Sequence, residues 1–337
     1  MQGWGRRSIS CGGVSRFFQW RPNTFLVRWM PFCLSRAYLG LLGRVYYMLK
    51  RQERAEIREN LDAAARKVAI TPPLDEVVRG TFLGICTHYF EKLITAFAPV
   101  EKVYRFVEGR TRLQDERLLQ EALALRRGVI LVSAHFGGIE FLPVLMALKG
   151  YPVTMVVRFK TGRLKQALVP RAEALNIRLI DAGNGDGVLF TALDSLKENR
   201  ILITECDEFE AWRPAPRRWA EFLGCSCPLD RTLDILHRRY RSPVLMGLNR
   251  RVQGTRYQLI LHDVTAQDAR LGPASLQQNA LRILEQYICE APEQWYQWKN
   301  LRVALGRALR EDVSTFSAVA EEQALSPAES RVGAFQI

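Results

Sequence analysis

The sequence predicts an α/β fold with a mostly parallel central sheet flanked by helices, preceded by an N-terminal helical segment. Three observations carry this expectation. Short apolar runs such as Val129–Val132 and Val153–Val157 read as strands buried on both faces. Segments with helical periodicity alternate with them. A turn containing two glycines, His135 to Gly138, joins one such run to a helix, giving a strand–helix–strand unit.

The elements follow in order. Residues 1–52 contain no Asp or Glu, and Arg16, Arg21, Arg28, Arg36 and Arg44 alternate with Phe17, Trp20, Phe25, Trp29 and Phe32. Aromatic rings suit the acyl edge of a bilayer and guanidinium groups suit its phosphates. A spanning helix needs about 20 apolar residues with few charges. The best window, Thr24 to Leu42, contains Arg28, Pro31 and Arg36, so an interfacial anchor is expected rather than a span. Residues 44–66, 74–96 and 111–126 read as helices, with Pro72 and Pro73 breaking the chain between the first two. Strand 129–132 leads through the His135–Gly138 turn into helix 139–149, closed by Gly150. Strand 153–157, helix 164–175, strand 177–180, a Gly-rich loop at 182–187, helix 188–198 and strand 201–204 repeat the rhythm. Helix 229–241, strands 243–248 and 257–261, and helix 275–289 complete it. The composition then turns to Ser, Ala, Glu and Gln. The domain plan is therefore a basic aromatic membrane-anchoring segment (1–43), one α/β domain (44–305) and a flexible tail (306–337).

The chain carries 48 Lys and Arg against 35 Asp and Glu, a net charge of +13 that calls for an anionic partner. No zinc-finger spacing or helix-turn-helix signal is present, so an anionic membrane surface or a phosphorylated lipid is favoured over nucleic acid. The seven cysteines lack a CxxC pattern and read as reduced thiols. Cys225 and Cys227 have no further ligand nearby in sequence, so no metal site is expected. The 182–187 loop lacks the Lys-Ser/Thr of a P-loop, which argues against a nucleotide. Neither a cofactor nor a metal is expected.

The stretch Ser133 to Glu140 bears the chemistry. It follows a buried strand and opens a helix, where α/β sheets bind ligands. His135 and Glu140 are five residues apart, about 140° on an ideal helix. They can meet only if His135 lies in the turn and Glu140 in the first helical turn; Gly137 and Gly138 allow such a turn and a close approach of substrate to backbone. A neutral imidazole takes a hydroxyl proton near neutral pH, and a carboxylate on its other nitrogen fixes the tautomer. A thioester donor needs no Ser or Cys intermediate, and no serine sits in a GxSxG elbow. Arg158 and Arg171 offer paired donors for phosphate, and Asp207 closes a strand at the edge of the expected site. The arginines at 213, 217, 218, 238, 239, 241, 250 and 251 form basic runs fit for an acidic carrier or a phosphorylated lipid. Trp295 and Trp298 read as core or interfacial packing.

His135-Phe136-Gly137-Gly138-Ile139-Glu140 resembles the H-x4-D/E motif of the glycerolipid acyltransferase superfamily, in the form found in bacterial lipid A biosynthesis lauroyl/myristoyl acyltransferases. Arg58-Glu59-Asn60-Leu61, Met155–Arg158, Arg171, Ile203–Asp207, Phe222-Leu223-Gly224 and Pro292-Glu293-Gln294-Trp295 match that family's segments in order. There are departures: the family's Asp-Gln-Asp is here Asp207-Glu208-Phe209, and its Trp before the motif Glu is Ile139. The resemblance implies a glycerolipid acyltransferase-like fold and an enzyme on the cytoplasmic face of the cell inner membrane. It would move an acyl chain from acyl carrier protein to a hydroxyl of a lipid A precursor. His135 would be base, Glu140 its partner, and Arg158, Arg171, Asp207, Gly137 and Gly138 would serve substrate. Two alternatives stand beside this reading: an O-acyltransferase for another glycolipid or a lysophospholipid, using acyl-CoA, and a non-catalytic lipid-binding protein on the same fold.

Overall fold

The structure is a computed structural model. It describes residues 18–301 apart from 71–72, 160, 185–186, 210–213, 253, 266–274 and 300. The expected tail at 306–337 lies outside the described residues.

The centre is a seven-stranded sheet. Its strands are β1 (Thr111–Leu113), β2 (Val129–Ser133), β3 (Val153–Val157), β4 (Ile177–Asp181), β5 (Ile201–Glu205), β8 (Val244–Arg251) and β9 (Tyr257–Asp263), in spatial order β1-β9-β8-β2-β5-β3-β4. β2 is parallel to both β8 and β5, and β3 to both β5 and β4. Within this sheet, among the described residues, the β8–β9 pair alone is antiparallel, and it reverses the edge carrying β1. The mostly parallel sheet is thus as expected, and every residue of β2 is buried, as two covered faces require.

Expected strands 153–157 and 177–180 and helices 74–96, 188–198 and 275–289 agree with the observed elements to within a residue or so. Three expectations differ. Helix 111–126 is observed as β1 followed by the Glu116–Ala124 helix, with Asp115 in the left-handed region between them. Helix 44–66 is two helices, Phe32–Leu49 and Arg51–Ala65, that meet at Lys50. The start of helix 229–241 belongs to a two-stranded hairpin, β6 (Pro214–Phe222) and β7 (Cys225–Asp230). Its turn residues Leu223 and Gly224 both have positive φ, 50° and 69°, as a two-residue hairpin loop demands.

The N-terminal segment is packed onto the domain. Phe18, Val27 and Leu39 are fully buried in the same core cluster as β2 and β3 residues. The Phe32–Leu49 helix lays Ser35, Leu39 and Gly43 against the long Leu74–Phe97 helix; a Cβ on Gly43 would meet the Cys86 sulfur. This helix runs across the expected boundary at residue 43. No helix among the described residues is long and apolar enough to cross a membrane.

Candidate active site

The site forms where the parallel strands end. β2 finishes at Ser133, whose hydroxyl donates to the Gly247 carbonyl at 2.7 Å, and the chain turns through Ala134 to Gly138. Gly137 has φ +59°, and a Cβ there would come within 2.1 Å of the Asn249 carbonyl oxygen. Only glycine satisfies both the dihedral and the approach. The amides of Gly137 and Gly138 donate to the carbonyls of Gln294 (3.0 Å) and Asn249 (2.7 Å). Both glycines are buried and their N–H groups are committed to the protein, so they bind the turn to β8 and the 292–295 segment rather than to substrate.

This turn aims His135 at Asp207. Nδ1 of His135 lies 3.0 Å from Asp207 Oδ1, and the His135 amide donates to both carboxylate oxygens at 3.1 and 3.0 Å. Trp295 Nε1–H donates to Oδ2 at 2.8 Å. Asp207 is fully buried and holds the imidazole ring from its Nδ1 side. The other ring nitrogen, Nε2, faces Glu208 Oε1 at 3.3 Å and Glu205 Oε2 at 3.7 Å. Burial by itself would lower the His135 pKa, but Glu205, Asp207 and Glu208 outweigh it and push it up to about 10. Burial holds the Glu205 carboxyl above its ordinary range, with Glu208 and Asp207 adding to the effect and His135 and Lys92 opposing it. His135, Glu205 and Glu208 also bring ligand atoms within 4.8 Å of one another. Such a group could take a divalent cation.

The structure turns Glu140 toward Lys92 and His88. Its carboxylate binds Lys92 Nζ at 2.9 Å and lies 3.7 Å from His88 Nε2; no ion pair among the described residues joins it to His135. The reason is local. Ile139–Phe141 is a 3-10 turn before the Leu142–Leu148 helix, and it presents Glu140 to the Leu74–Phe97 helix. Burial would lower the Lys92 pKa, but Glu140, with Glu205 and Glu208, raises it, so the ammonium links the two acidic groups electrostatically.

His135, Glu140, Lys92, Glu205 and Glu208 line one end of a cavity of about 260 Å³. The rest of its wall includes Val103, Val144, Leu164, Leu168, Ile177 and Leu179, from the helices and strands flanking β3. Arg158 and Arg171 line the same cavity, so the structure brings both to the site. Arg158 is exposed at the end of β3. Arg171 donates from one amino group to the Thr95 carbonyl at 3.1 Å, and burial lowers its pKa.

Below the turn lies a charge pair the sequence reading did not find. Arg251 grips Glu91 with two bonds, 2.7 and 2.9 Å, and also donates to the Gly137 carbonyl (2.8 Å) and to the Tyr296 hydroxyl. Tyr257 donates to Glu91 at 2.8 Å. Arg251 is thus engaged by Glu91 and by the His135–Gly138 turn. Arg250 and Arg218 face Glu290 (2.9 Å) and Asp234 (3.5 Å), while Arg213 lies outside the described residues. Trp295 and Trp298 are fully buried, as expected of packing residues, but Trp295 also fixes Asp207. Glu205 lies within the Ile203–Asp207 segment and closes the run Ile201–Thr204, but nothing in the sequence singled it out.

A sequence model of the family described as bacterial lipid A biosynthesis acyltransferase matches residues 17–301. Comparison with curated proteins gives no match.

Proposed function

We propose a reaction from one premise: the chain belongs to the bacterial lipid A biosynthesis acyltransferase family and is an acyltransferase. The reaction is transfer of a fatty acyl chain from the thioester of acyl carrier protein to a hydroxyl of a lipid A precursor. The observation that carries this reading is one cavity that joins proton-transfer groups, His135 with Glu205 and Glu208, to a largely apolar wall that includes Val103, Val144, Leu164, Leu168, Ile177 and Leu179. Each CH₂ drawn from water contributes about 0.8 kcal/mol, so such walls favour an acyl chain. His135 then lies beside the thioester carbon and moves the hydroxyl proton toward the departing sulfur, with Asp207 holding the ring. Arg158 and Arg171 supply cationic donors to the phosphates of donor or acceptor.

The enzyme works at the cytoplasmic face of the inner membrane, held on the anionic surface by its N-terminal helices. The support is a stripe of exposed apolar side chains. Leu34, Leu41, Val45 and Met48 share one side of the Phe32–Leu49 helix, opposite Ser35, Leu39 and Gly43. Trp20, Phe25 and Trp29 extend it, with exposed Arg21, Arg28 and Arg44 beside them. Tyr46, on the inward side of the same helix, lines the cavity, so the helix that carries the exposed stripe also forms part of the cavity wall.

The test offers purified protein acyl carrier thioesters and acyl-CoA, each with a lipid A precursor and with other lipid hydroxyls. Transfer from the carrier thioester to the lipid A precursor, lost in His135→Ala, is expected. Full activity in His135→Ala, or membrane lipids whose lipid A acylation is unchanged when the gene is removed, overturns the reading.

A further inference from the structure

Attack on a thioester puts negative charge on the carbonyl oxygen, and a donor must meet that charge. The turn that carries His135 has its backbone donors engaged elsewhere. The amides of His135, Phe136, Gly137 and Gly138 donate to the Asp207 carboxylate and to the carbonyls of Ala134, Gln294 and Asn249. The donor has to come from a side chain of the cavity wall. Arg171 is tied to the Thr95 carbonyl, Lys299 to Glu53 at 3.2 Å, and the Tyr296 hydroxyl to Arg251.

Lys92 has donors to spare. The Leu74–Phe97 helix turns Ile85, His88, Lys92 and Thr95 to the cavity, three or four residues apart, so they share one face. Nζ of Lys92 bonds Glu140 Oε1 at 2.9 Å. An ammonium carries three N–H groups, so two are left for the cavity, where the Lys92 side chain is 27% exposed. Glu205 and Glu208, which face His135 Nε2, also act on the Lys92 charge, so the ammonium stands in the same polar cluster as the imidazole.

We propose that Lys92 holds the oxygen that becomes negative on the thioester carbonyl, and that Glu140 is the positioning residue that aims its ammonium. This deepens the acyl-transfer reading and rests on it. The acceptor O–H bond breaks and its proton passes to His135 Nε2. The freed oxygen lone pair forms the C–O bond to the carbonyl carbon, whose π pair moves onto the oxygen beside Lys92. Collapse restores C=O and breaks C–S, and the sulfur takes the proton from Nε2. Lys92 gives up no proton, and nothing beyond donor and acceptor is consumed. A charge that exists only after attack is stabilised more than the neutral carbonyl, so the effect falls on kcat. None of the segments that carry the family resemblance includes Lys92.

Steady-state kinetics of the full chain with a carrier thioester and a lipid A precursor test the assignment. Lys92→Met is expected to lower kcat by about 10²–10³-fold with KM unchanged, while Lys92→Arg keeps part of the rate. Glu140→Gln is expected to lower kcat in the parent and to lower it no further in Lys92→Met, because the two act as one unit. Melting curves separate loss of chemistry from loss of fold. Should Lys92→Met fail to fold, Lys92→Gln, which keeps a donor toward Glu140 and loses the charge, decides in its place. Retained kcat in the folded variant overturns the proposal, and so does a raised KM at unchanged kcat, which makes Lys92 a substrate-binding group. Equal losses from Glu140→Gln in both backgrounds overturn the positioning role. His135→Ala run alongside keeps the two questions apart: if it is fully active, acyl transfer at this site itself fails, whereas an inactive His135→Ala beside a fully active Lys92→Met sinks this inference alone.

Discussion

Trp295 donates its indole N–H to Asp207 at 2.8 Å, on the carboxylate oxygen opposite the one that meets His135 Nδ1. The indole thus sets the tilt of a carboxylate that in turn sets the tilt of the imidazole. Trp295 is itself pinned: Phe136 and Trp295 form an antiparallel bridge, and the Tyr296 amide donates to the His135 carbonyl at 3.0 Å. Trp295→Phe keeps most of the buried ring and removes the donor. It is expected to destabilise the protein by about 1–3 kcal/mol, because a buried carboxylate oxygen loses its strongest side-chain donor. Urea denaturation measures this. A kcat loss of about tenfold should accompany it, and unchanged stability and rate would show that the indole bond carries no weight.

Asp207 and Glu140 give separable phenotypes. Asp207 contributes both charge and a hydrogen bond that raise the His135 pKa, whereas the Glu140 carboxylate is paired with Lys92. Asp207→Asn is therefore expected to move the His135-controlled limb of the pH–rate profile below about 10 and to cut kcat by roughly 10²–10⁴-fold. Glu140→Gln should leave that limb in place, since its carboxylate is spent on Lys92. A pH–rate profile of each variant decides. A purely structural role for Asp207 would change stability without moving the limb.

The Glu91–Arg251 pair is a support under the turn and is sealed from solvent on the glutamate side. Burial pushes the Glu91 carboxyl up and the Arg251 charge opposes it, so the pair survives on its two short bonds. Glu91→Ala leaves a guanidinium buried without its anion and is expected to cost about 3–5 kcal/mol in denaturant titrations. Arg251→Lys should also fail, because one ammonium cannot replace a fork that holds Glu91 and the Gly137 carbonyl together.

The sheet was legible because its central strands are apolar on both faces, a signal that needs no partner to be seen. Residues Val129–Ser133 and Ile201–Glu205 are of this kind. The β6–β7 hairpin was not, because its turn is Leu223-Gly224 and leucine in the left-handed region sends no turn signal. His135 was legible from its place after β2. The carboxylate that meets its Nδ1 was not, because Asp207 lies 72 residues away and is brought near by the pairing of β2 with β5. Glu140 looked like the partner because it was close in sequence, yet five residues of turn and 3-10 helix carry it toward Lys92. Arg251 read as one of several surface cations because a sequence cannot show that Glu91, 160 residues away, waits for it.

The exposed N-terminal stripe predicts how membrane binding should respond to composition and salt. Phe25 and Trp29 on the short Arg21–Trp29 helix, and Trp20 just before it, are each more than 60% exposed, at 64%, 67% and 63%. Rings left in water at this density form an apolar patch that a bilayer edge can cover. Arg21, Arg28 and Arg44 nearby add attraction to anionic headgroups. Two components with different salt responses follow. Apolar insertion persists at high salt, whereas the arginine contribution falls as the screening length drops from about 10 Å at 0.1 M to about 3 Å at 1 M. In vesicle flotation, the full chain is expected to bind anionic vesicles more tightly than neutral ones and to lose that preference, but not all binding, in 1 M salt. Replacing Trp20, Phe25 and Trp29 together by Ser should lower partitioning at every salt concentration by at least about tenfold, while the fold, which uses the opposite faces at Asn23, Thr24 and Val27, is kept. Equal partitioning of the triple variant and the parent would place the membrane contact elsewhere on the surface.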